Sequence, residues 1–427
     1  MSPRQRPSRR YPVLAWFCAA AAIAYVQRTS IGIAAKDIQA SLELSVPAMG
    51  NVMGGYYWAY ALSQLPAGWI GQRWGTRVSL TFFMAGTSAW TALVACTTSS
   101  ADLTVVWLLA GMAIAGIFPA CAQAIAQWFA PDERAFPSGA LGSAMSVGGA
   151  ASSVLTGWLL GLFAAVPGSW RWIFCLYALP GLAWAAGFAV WYRDPATLAP
   201  ANNGSASRDP DEHSPSPQLR AGLDYDGWWL DRRTWLVCAQ KFFRAAGYVF
   251  YATWFPSFLQ ETRGVSTAAA GILTSLPLLG VVIGGIVGGS TIDAIDRTFQ
   301  SRRISRQLVG VVSHLGCAGF IFAAKPIRDP VFAVALITGG SFVFAFGSAT
   351  SYAITMDLGG RRTATLFALM NMCGNIGAAI CPSVVGLLIP RIGWEPLLFV
   401  FGGIYLAAAT CWMFLNPGSE VRASTTP

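Results

Sequence analysis

The chain has 427 residues, of which 55% are hydrophobic and only 11% are charged, and its mean hydropathy is +0.51. This composition is too apolar and too poor in charge for a soluble protein of this length, and it indicates a protein with many membrane spans. The net charge of +9 does not indicate a nucleic-acid partner, because no folded soluble segment carries a basic face with interleaved aromatic residues.

Apolar stretches long enough to cross a bilayer, about 20 residues each, occur in two sets of six. The first six predicted spans lie near 12–39, 48–71, 78–98, 102–129, 136–163 and 170–192. The second six lie near 235–260, 268–292, 306–324, 330–356, 362–389 and 394–416. We therefore expect an all-α membrane protein of twelve transmembrane helices in two six-helix bundles, with bundle domains at residues 1–192 and 234–427.

Residues 193–233 between the two sets are rich in Pro, Ser, Asn and Asp, and they have too little apolar surface to fold alone. We interpret them as a cytoplasmic linker. Nineteen Lys and Arg residues fall on the side of the termini and this linker, against six on the other side. The positive-inside rule then places both termini in the cytoplasm of a multi-pass protein of the inner membrane. The first span extends well beyond a signal-peptide core, so no cleavage is expected.

The two sets of spans also resemble each other. Gly68 precedes the polar Gln72 by four residues at the end of span 2, and Gly289 precedes Asp293 by four residues at the end of span 8. A duplicated six-helix unit is typical of two-bundle transporters with a binding site between the halves.

The stretch GWIGQRWGTR at 68–77 resembles the loop signature of the major facilitator superfamily, Gly-x-x-x-Asp-Arg-x-Gly-x-Arg. Gly68, Arg73, Gly75 and Arg77 fit the signature, and Gln72 replaces its acid. The resemblance implies a cytoplasmic gate motif at these residues, with a latch altered by the missing acid.

Further segments are similar to one branch of that family, the anion:cation symporters of organic acids. They are YYWAYALSQLPAGW at 56–69, FPACAQAIAQWFAPDER at 118–134, SWRWIF at 169–174, TWFPSFL at 253–259 and ALMNMCGNIGAAICPSVVG at 368–386. The resemblance covers nearly all twelve spans. It implies the major facilitator fold and alternating-access transport, with symport as the usual mode.

Arg28 lies inside span 1 with no acid within eight residues. A cation at the centre of a bilayer costs about 2.5–3.5 kcal/mol, so such a residue normally faces a cavity or a partner. Its guanidinium is either tied to neighbouring backbone carbonyls or free to bind a carboxylate or phosphate as a two-pronged donor. The resemblance implies the second role, because the span 1 arginine of this branch binds the substrate carboxylate.

Other candidate substrate-binding residues are polar groups within the spans, each with packing as the alternative role. Tyr25 lies one turn before Arg28, and the resemblance implies substrate contact for it and for Tyr60, with Tyr56 one turn from Tyr60. Asn371 and Asn375 lie one turn apart in span 11, where related proteins bind sugar hydroxyls.

Span 7 contains Lys241 and Arg244. We expect Lys241 to extend toward the lipid headgroups, whereas Arg244 is deeper. Arg244 is either a second anion-binding arginine or a residue with a cytoplasmic-gate or structural pairing. We interpret His314 in span 9 as a packing residue rather than a proton carrier.

Two positions lack an expected acid. Proton-coupled members of the branch have one before the span 1 arginine and one in span 4, and here those positions hold Gln27 and Ile114. The remaining acids lie at span ends or in loops, so a potential-driven or exchange mechanism is open, as is coupling to a proton or sodium ion through an unidentified group.

We therefore predict a monomeric secondary transporter that moves a small organic anion, such as a monocarboxylate or sugar acid, across the cytoplasmic membrane. An organophosphate:phosphate exchanger using Arg28 and Arg244 and a drug or metabolite efflux pump are the alternatives. Motifs of membrane enzymes are absent from the sequence, and we expect no enzyme activity, cofactor or metal.

Overall fold

The computed structural model describes residues 7–129, 135–193, 231–299, 301, 303–359 and 363–416, and the regular elements within these ranges are helices. The first set comprises α1 (Pro7–Ile33), α2 (Ala35–Leu42), α3 (Val46–Leu93), α4 (Ser100–Ile114), α5 (Ile117–Trp128), α6 (Ala135–Leu162) and α7 (Trp170–Trp191). The second set comprises α8 (Arg232–Thr253), α9 (Phe255–Arg263), α10 (Thr267–Phe299), α11 (Val309–Ala324), α12 (Pro330–Gly359), α13 (Thr363–Ile392) and α14 (Trp394–Phe414). Most of the predicted linker, residues 194–230, lies outside the described residues.

α3 contains two membrane crossings. With the 3-10 turn that follows it, the helix runs over Val46–Cys96, 51 residues, which at about 1.5 Å per residue is more than twice the ~30 Å hydrocarbon core. Gly75 interrupts it with φ of 75°, a conformation that residues with a Cβ rarely adopt. The signature glycine at position 75 therefore separates the second crossing from the third.

The helices account for the twelve predicted spans. Within the described ranges, nine helical stretches are long and apolar enough to cross a membrane. One of them is α4 with α5, Ser100–Trp128, and another is α11 with the turn before it, Arg303–Ala324. The pair α1–α2, bent by 57°, makes a tenth. The division of α3 at Gly75 adds one crossing. The last is α8–α9, whose first helix contains Lys241 and Arg244 and is more polar than the other long helices.

The outer surface carries many large apolar side chains. Leu65 is 77% exposed, Val190 75% and Trp172 74%. Soluble monomers rarely expose apolar surface on this scale, whereas the hydrocarbon core of a bilayer covers it. The exposed apolar surface therefore agrees with the length and hydropathy of the spans.

The two bundles, α1–α7 and α8–α14, meet through glycine contacts of α6 with α10 and of α3 with α13. A Cβ added at Gly157 would lie 2.8 Å from the Thr267 carbonyl oxygen and 3.0 Å from the Cα of Gly271. A Cβ added at Gly50 would lie 2.6 Å from the Pro382 carbonyl oxygen. Only residues without a side chain allow the backbones to approach so closely.

These contacts lie at one end of the molecule, where α6 ends and α10 begins. An ion pair joins α2 to α9 at the same end, with 3.5 Å between Lys36 Nζ and Glu261 Oε1. Trp394 Nε1 donates a hydrogen bond to the other carboxylate oxygen of Glu261 at 2.6 Å. Among the described glycines, those with close contacts between the bundles cluster at this end. We call it the closed end; it is opposite the start of α1.

Candidate functional site

A cavity of about 320 Å³ lies between the two bundles. α1, α3 and α6 line it from the first bundle, and α8, α10, α12 and α13 line it from the second. Its polar lining includes three cations, four tyrosines and two asparagines: Arg28, Lys241, Arg244, Tyr25, Tyr57, Tyr248, Tyr352, Asn371 and Asn375. None of the lining residues in the described ranges is a carboxylate.

Arg28 is surrounded by tyrosines. Its Nη1 donates a hydrogen bond to the hydroxyl of Tyr25 at 3.3 Å. Its guanidinium carbon lies 4.6 Å from the ring centre of Tyr57, 5.0 Å from Tyr25, 5.2 Å from Tyr60 and 6.0 Å from Tyr56. Cation–π contacts at these distances stabilise the charge without neutralising it. Arg28 therefore remains a full positive charge with unused N–H donors facing the cavity.

The alternative of an arginine tied to backbone carbonyls does not describe Arg28. Its hydrogen bond within the described residues goes to a side-chain hydroxyl, and the ion pairs found there do not involve it. A guanidinium has five N–H donors, and leaving them unpaired in a partly buried site is costly unless a ligand or water binds them. The arrangement is suited to holding an anion.

The predicted tyrosines differ in their positions. Tyr25 lines both the cavity and a smaller pocket of about 20 Å³, whereas Tyr60 lines the smaller pocket only. Tyr56 is only 2% exposed and packs on Trp107 with ring centres 4.8 Å apart. Tyr57, which is not among the residues predicted from the sequence, is the α3 tyrosine that lines the main cavity.

The two positions without an acid do not line the main cavity. Gln27 is 1% exposed, and its Nε2 donates to Ser88 Oγ at 3.0 Å and to the Tyr177 carbonyl oxygen at 2.9 Å. It therefore joins α1 to its neighbours within the first bundle. Ile114 lines the small pocket together with Arg28 and Tyr60. Ile114 and Arg28 thus border the same small pocket.

The second bundle contributes Lys241 and Arg244. Our expectation that Lys241 extends to the headgroups is wrong: it is 8% exposed and lines the cavity, with Nζ 5.0 Å from the ring centre of Tyr352. Arg244 donates to Ser348 Oγ, and its guanidinium carbon lies 4.7 Å from the ring centre of Phe344. Depth in the bundle and the Tyr352 ring hold the ammonium inside the protein.

Asn371 and Asn375 both line the cavity from α13. Asn375 Nδ2 donates to Gln64 Oε1 of α3 at 3.2 Å, so this asparagine also links the two bundles. His314 lies elsewhere, fully buried among Phe344, Tyr405 and Trp412, with Nδ1 2.8 Å from the Gly310 carbonyl oxygen. The histidine does not line the cavity.

The predicted gate motif lies at the end of the molecule opposite the closed end. Arg77 Nε donates to the Ala189 carbonyl oxygen at 2.7 Å, which ties α3 to α7 within the first bundle. The Arg73 guanidinium lies 5.3 Å from the ring centre of Trp69 on its own helix. Gln72 is exposed, and a Cβ at Gly68 would meet open space. In the described ranges, no group of three His, Cys, Asp or Glu side chains is placed to hold a metal ion.

The chain is similar along most of its length to known membrane transporters. The Major Facilitator Superfamily profile matches residues 17–378 and 237–426. The probable sulfoacetate transporter of Cupriavidus necator is 28% identical over 97% of this chain and 95% of its own length. The D-galactonate transporter of Escherichia coli O6:H1 is 27% identical over 95% of each chain. The hexuronate transporter of Bacillus subtilis is 26% identical over 95% of this chain and 93% of its own.

Solved structures agree with the fold. The D-xylose-proton symporter superposes with a TM-score of 0.74 over 96% of this chain and 99% of its own, at 14% identity. An inward-facing bacterial homolog of the human lysosomal transporter Spinster superposes with a TM-score of 0.72 over 96% and 95%, at 18% identity. At these identities the likeness concerns architecture alone. Since the family profile covers most of the sequence, the chain belongs to the major facilitator superfamily, a family of membrane transporters, and it is not an enzyme.

Proposed function

We propose that this protein transports a small organic anion across the cytoplasmic membrane by alternating access, with Arg28 as the residue that binds the anion. The observation that carries the proposal is the position of Arg28: a guanidinium on the wall of a central cavity, framed by tyrosine rings, with no carboxylate partner in the described residues. Guanidinium donors match the two oxygens of a carboxylate, and such charge-assisted hydrogen bonds are strong.

The other lining groups suit a hydroxylated or otherwise polar anion. The Tyr25 and Tyr57 hydroxyls and the Asn371 amide line the cavity with Arg28, and they can donate to or accept from hydroxyl groups. The three relatives described above are named for the transport of sulfoacetate, galactonate and hexuronate, each of which is an organic acid. A cationic cavity is unsuited to the positively charged compounds typical of drug efflux.

We place both termini in the cytoplasm because Lys and Arg are concentrated on that side. The closed end then faces the outside of the cell, and the cavity is positioned to open toward the cytoplasm. The moving units are the bundle domains 1–192 and 234–427, connected by the linker 193–233. In this proposal the functional unit is a monomer.

Proton coupling through the two usual acid positions is not part of the proposal. The side-chain amide of Gln27 donates hydrogen bonds to Ser88 and to the Tyr177 carbonyl oxygen, and Ile114 is apolar. We infer that the membrane potential, exchange or an ion bound elsewhere drives transport.

The test is uptake of labelled organic acids into proteoliposomes by wild type, Arg28→Ala and Arg28→Lys. Removing a bidentate charged contact of about 2–4 kcal/mol should raise the half-saturation concentration about 30- to 1,000-fold in Arg28→Ala. Arg28→Lys should recover part of the loss. Arg391→Gln is the control, because Arg391 is exposed and donates to its own helix. Normal transport by Arg28→Ala would refute the assignment.

A further inference from the structure

Lys241 and Arg244 form a second group of positive charge on the cavity wall, on the bundle opposite Arg28. They lie three residues apart on α8 and therefore share one helical face. Within the described residues, neither forms an ion pair. The cavity is thus bounded by one cation from the first bundle and two from the second.

The Lys241 side chain is packed in place. The residue lies nine positions after the start of α8 at Arg232, about 14 Å along the helix. A Cβ added at Gly374 of α13 would lie 3.0 Å from Lys241 Cγ and 3.3 Å from Cε. The absence of a side chain at position 374 therefore makes room for the lysine stem, whose ammonium group ends at the cavity beside Tyr352.

Not all N–H donors of the Arg244 guanidinium have a hydrogen-bond acceptor in the described residues. Its contacts are with the Ser348 hydroxyl and the face of Phe344, and its buried Nε has no hydrogen-bond partner in the described residues. A buried, charged donor without an acceptor is costly. An anion in the cavity, which Arg244 lines, would give its guanidinium a charged acceptor in addition to Ser348.

Tyr248 lies one turn after Arg244 on α8 and lines the same cavity as Arg244 and Arg28. The two cationic groups therefore act on the same small space. At about 30 Å³ per water molecule, 320 Å³ corresponds to roughly ten waters. A compact molecule of a few carbon atoms with polar groups at both ends fits this volume.

We propose that Lys241 and Arg244 form a second anion subsite, so that the transported molecule carries two anionic groups, one bound at Arg28 and the other at Lys241 and Arg244. The inference rests on the proposed function. A monoanion would leave two of the three lining cations without a counter-charge when the cavity closes, whereas a dianion leaves one. Because closure removes water from these charges, the dianion is favoured in binding and in the conformational change.

The experiment compares matched acids that differ by one charge: gluconate with glucarate, and propionate with succinate. Each is added to the purified full-length protein, and its dissociation constant is obtained from the shift of thermal unfolding with concentration. Wild type should bind the dianion of at least one pair about ten-fold or more tightly than the monoanion. Lys241→Gln and Arg244→Gln should reduce this ratio toward one while still binding the monoanion, and Lys241→Arg should restore it.

Three results separate the possible failures. The second subsite is overturned if wild type binds both members of both pairs equally. It is also overturned if folded Lys241→Gln and Arg244→Gln keep the wild-type ratio of dianion to monoanion affinity. Either result leaves the proposed role of Arg28 in anion binding unaffected. If none of the four acids shifts unfolding of wild type, the anion site itself is refuted together with the subsite. Helical content and elution in size-exclusion chromatography identify variants that fail to fold. If one of the two Gln variants fails to fold, the other Gln variant and Lys241→Arg test the subsite.

Discussion

The ring of Tyr57 lies 4.6 Å from the guanidinium carbon of Arg28, the shortest of four such tyrosine contacts. The ring face attracts the cation and leaves its N–H edge available to a ligand. Tyr57 therefore positions the arginine at the wall of the cavity.

Replacing Tyr57 separates the role of the ring from that of the hydroxyl. Tyr57→Phe keeps the ring and should change the half-saturation concentration for uptake by less than about three-fold. Tyr57→Leu loses a cation–π contact of about 0.5–2 kcal/mol and should weaken apparent affinity about 2- to 30-fold. Tyr11→Leu, at an exposed position, is the control. A loss in Tyr57→Phe equal to that in Tyr57→Leu would mean that the hydroxyl contacts the substrate.

Substitution of Ile114 by an acid tests whether a carboxylate of the protein itself can compete with the substrate for Arg28. It shares the pocket of about 20 Å³ with Arg28 and Tyr60, so Ile114→Glu should place a carboxylate against the guanidinium and compete with the substrate. Uptake at neutral pH should fall by about ten-fold or more, as expected for a close charged contact. Lowering the pH protonates the new carboxyl, removes the competing charge and should restore uptake relative to wild type.

Ile114→Gln is the matched neutral variant. It should retain more transport than Ile114→Glu at neutral pH and show no pH-dependent recovery relative to wild type. Equal losses in the two variants at every pH would show that size, rather than charge, matters at this position.

Substitution of Gly157 tests whether transport requires the close contact of the two bundles at the closed end. A side chain there would collide with the backbone of α10, beginning at the Thr267 carbonyl oxygen. Overpacking of this kind costs about 1–3 kcal/mol, so Gly157→Val should disfavour the conformation with this end closed and lower uptake about ten-fold. The measurement is the uptake rate per molecule reconstituted. Gly319→Val is the control, because a Cβ at Gly319 meets open space, and a similar loss there would contradict the explanation.

The ion pair between Lys36 and Glu261 should contribute modestly. Their side chains are 37% and 39% exposed, and exposed pairs are worth about 0.2–1 kcal/mol. Lys36→Glu, which places two acids together, should lower uptake about two- to five-fold.

Adding Glu261→Lys to Lys36→Glu should restore part of the rate, because the reversed charges attract again, although the hydrogen bond from Trp394 to Glu261 is lost. A double-mutant cycle measures the coupling between the two positions. High salt should reduce the effect. Additive losses in the double variant would show that the ion pair does not hold this end together.

The spans and Arg28 could be predicted from the sequence because both follow from hydropathy: a long apolar run and a charge inside it. The selection among Tyr56, Tyr57 and Tyr60 could not, because the rotation of α3 about its axis is set by packing, such as that of Tyr56 on Trp107. The sequence indicates three tyrosines near the site and does not show which of them faces the cavity.

The position of the Lys241 side chain could not be predicted from the sequence for a related reason. Its distance from the span end allows a lysine to reach the headgroups, and nothing on its own helix prevents this. The space beside Gly374 and the ring of Tyr352 come from α13 and α12, more than a hundred residues later in the chain. Contacts of that separation are not visible in local sequence patterns.

The glycine contacts at the closed end also provide a pivot about which the two bundles can rotate. α6 extends from Gly157 back to Ala135, an arm of ~33 Å at about 1.5 Å per residue, so a tilt of ~10° about Gly157 moves its far end by ~6 Å. If the bundles rock as rigid bodies, small rotations at the closed end become wide openings at the other. The width of the entrance then depends on two backbones that touch at the opposite end of the protein.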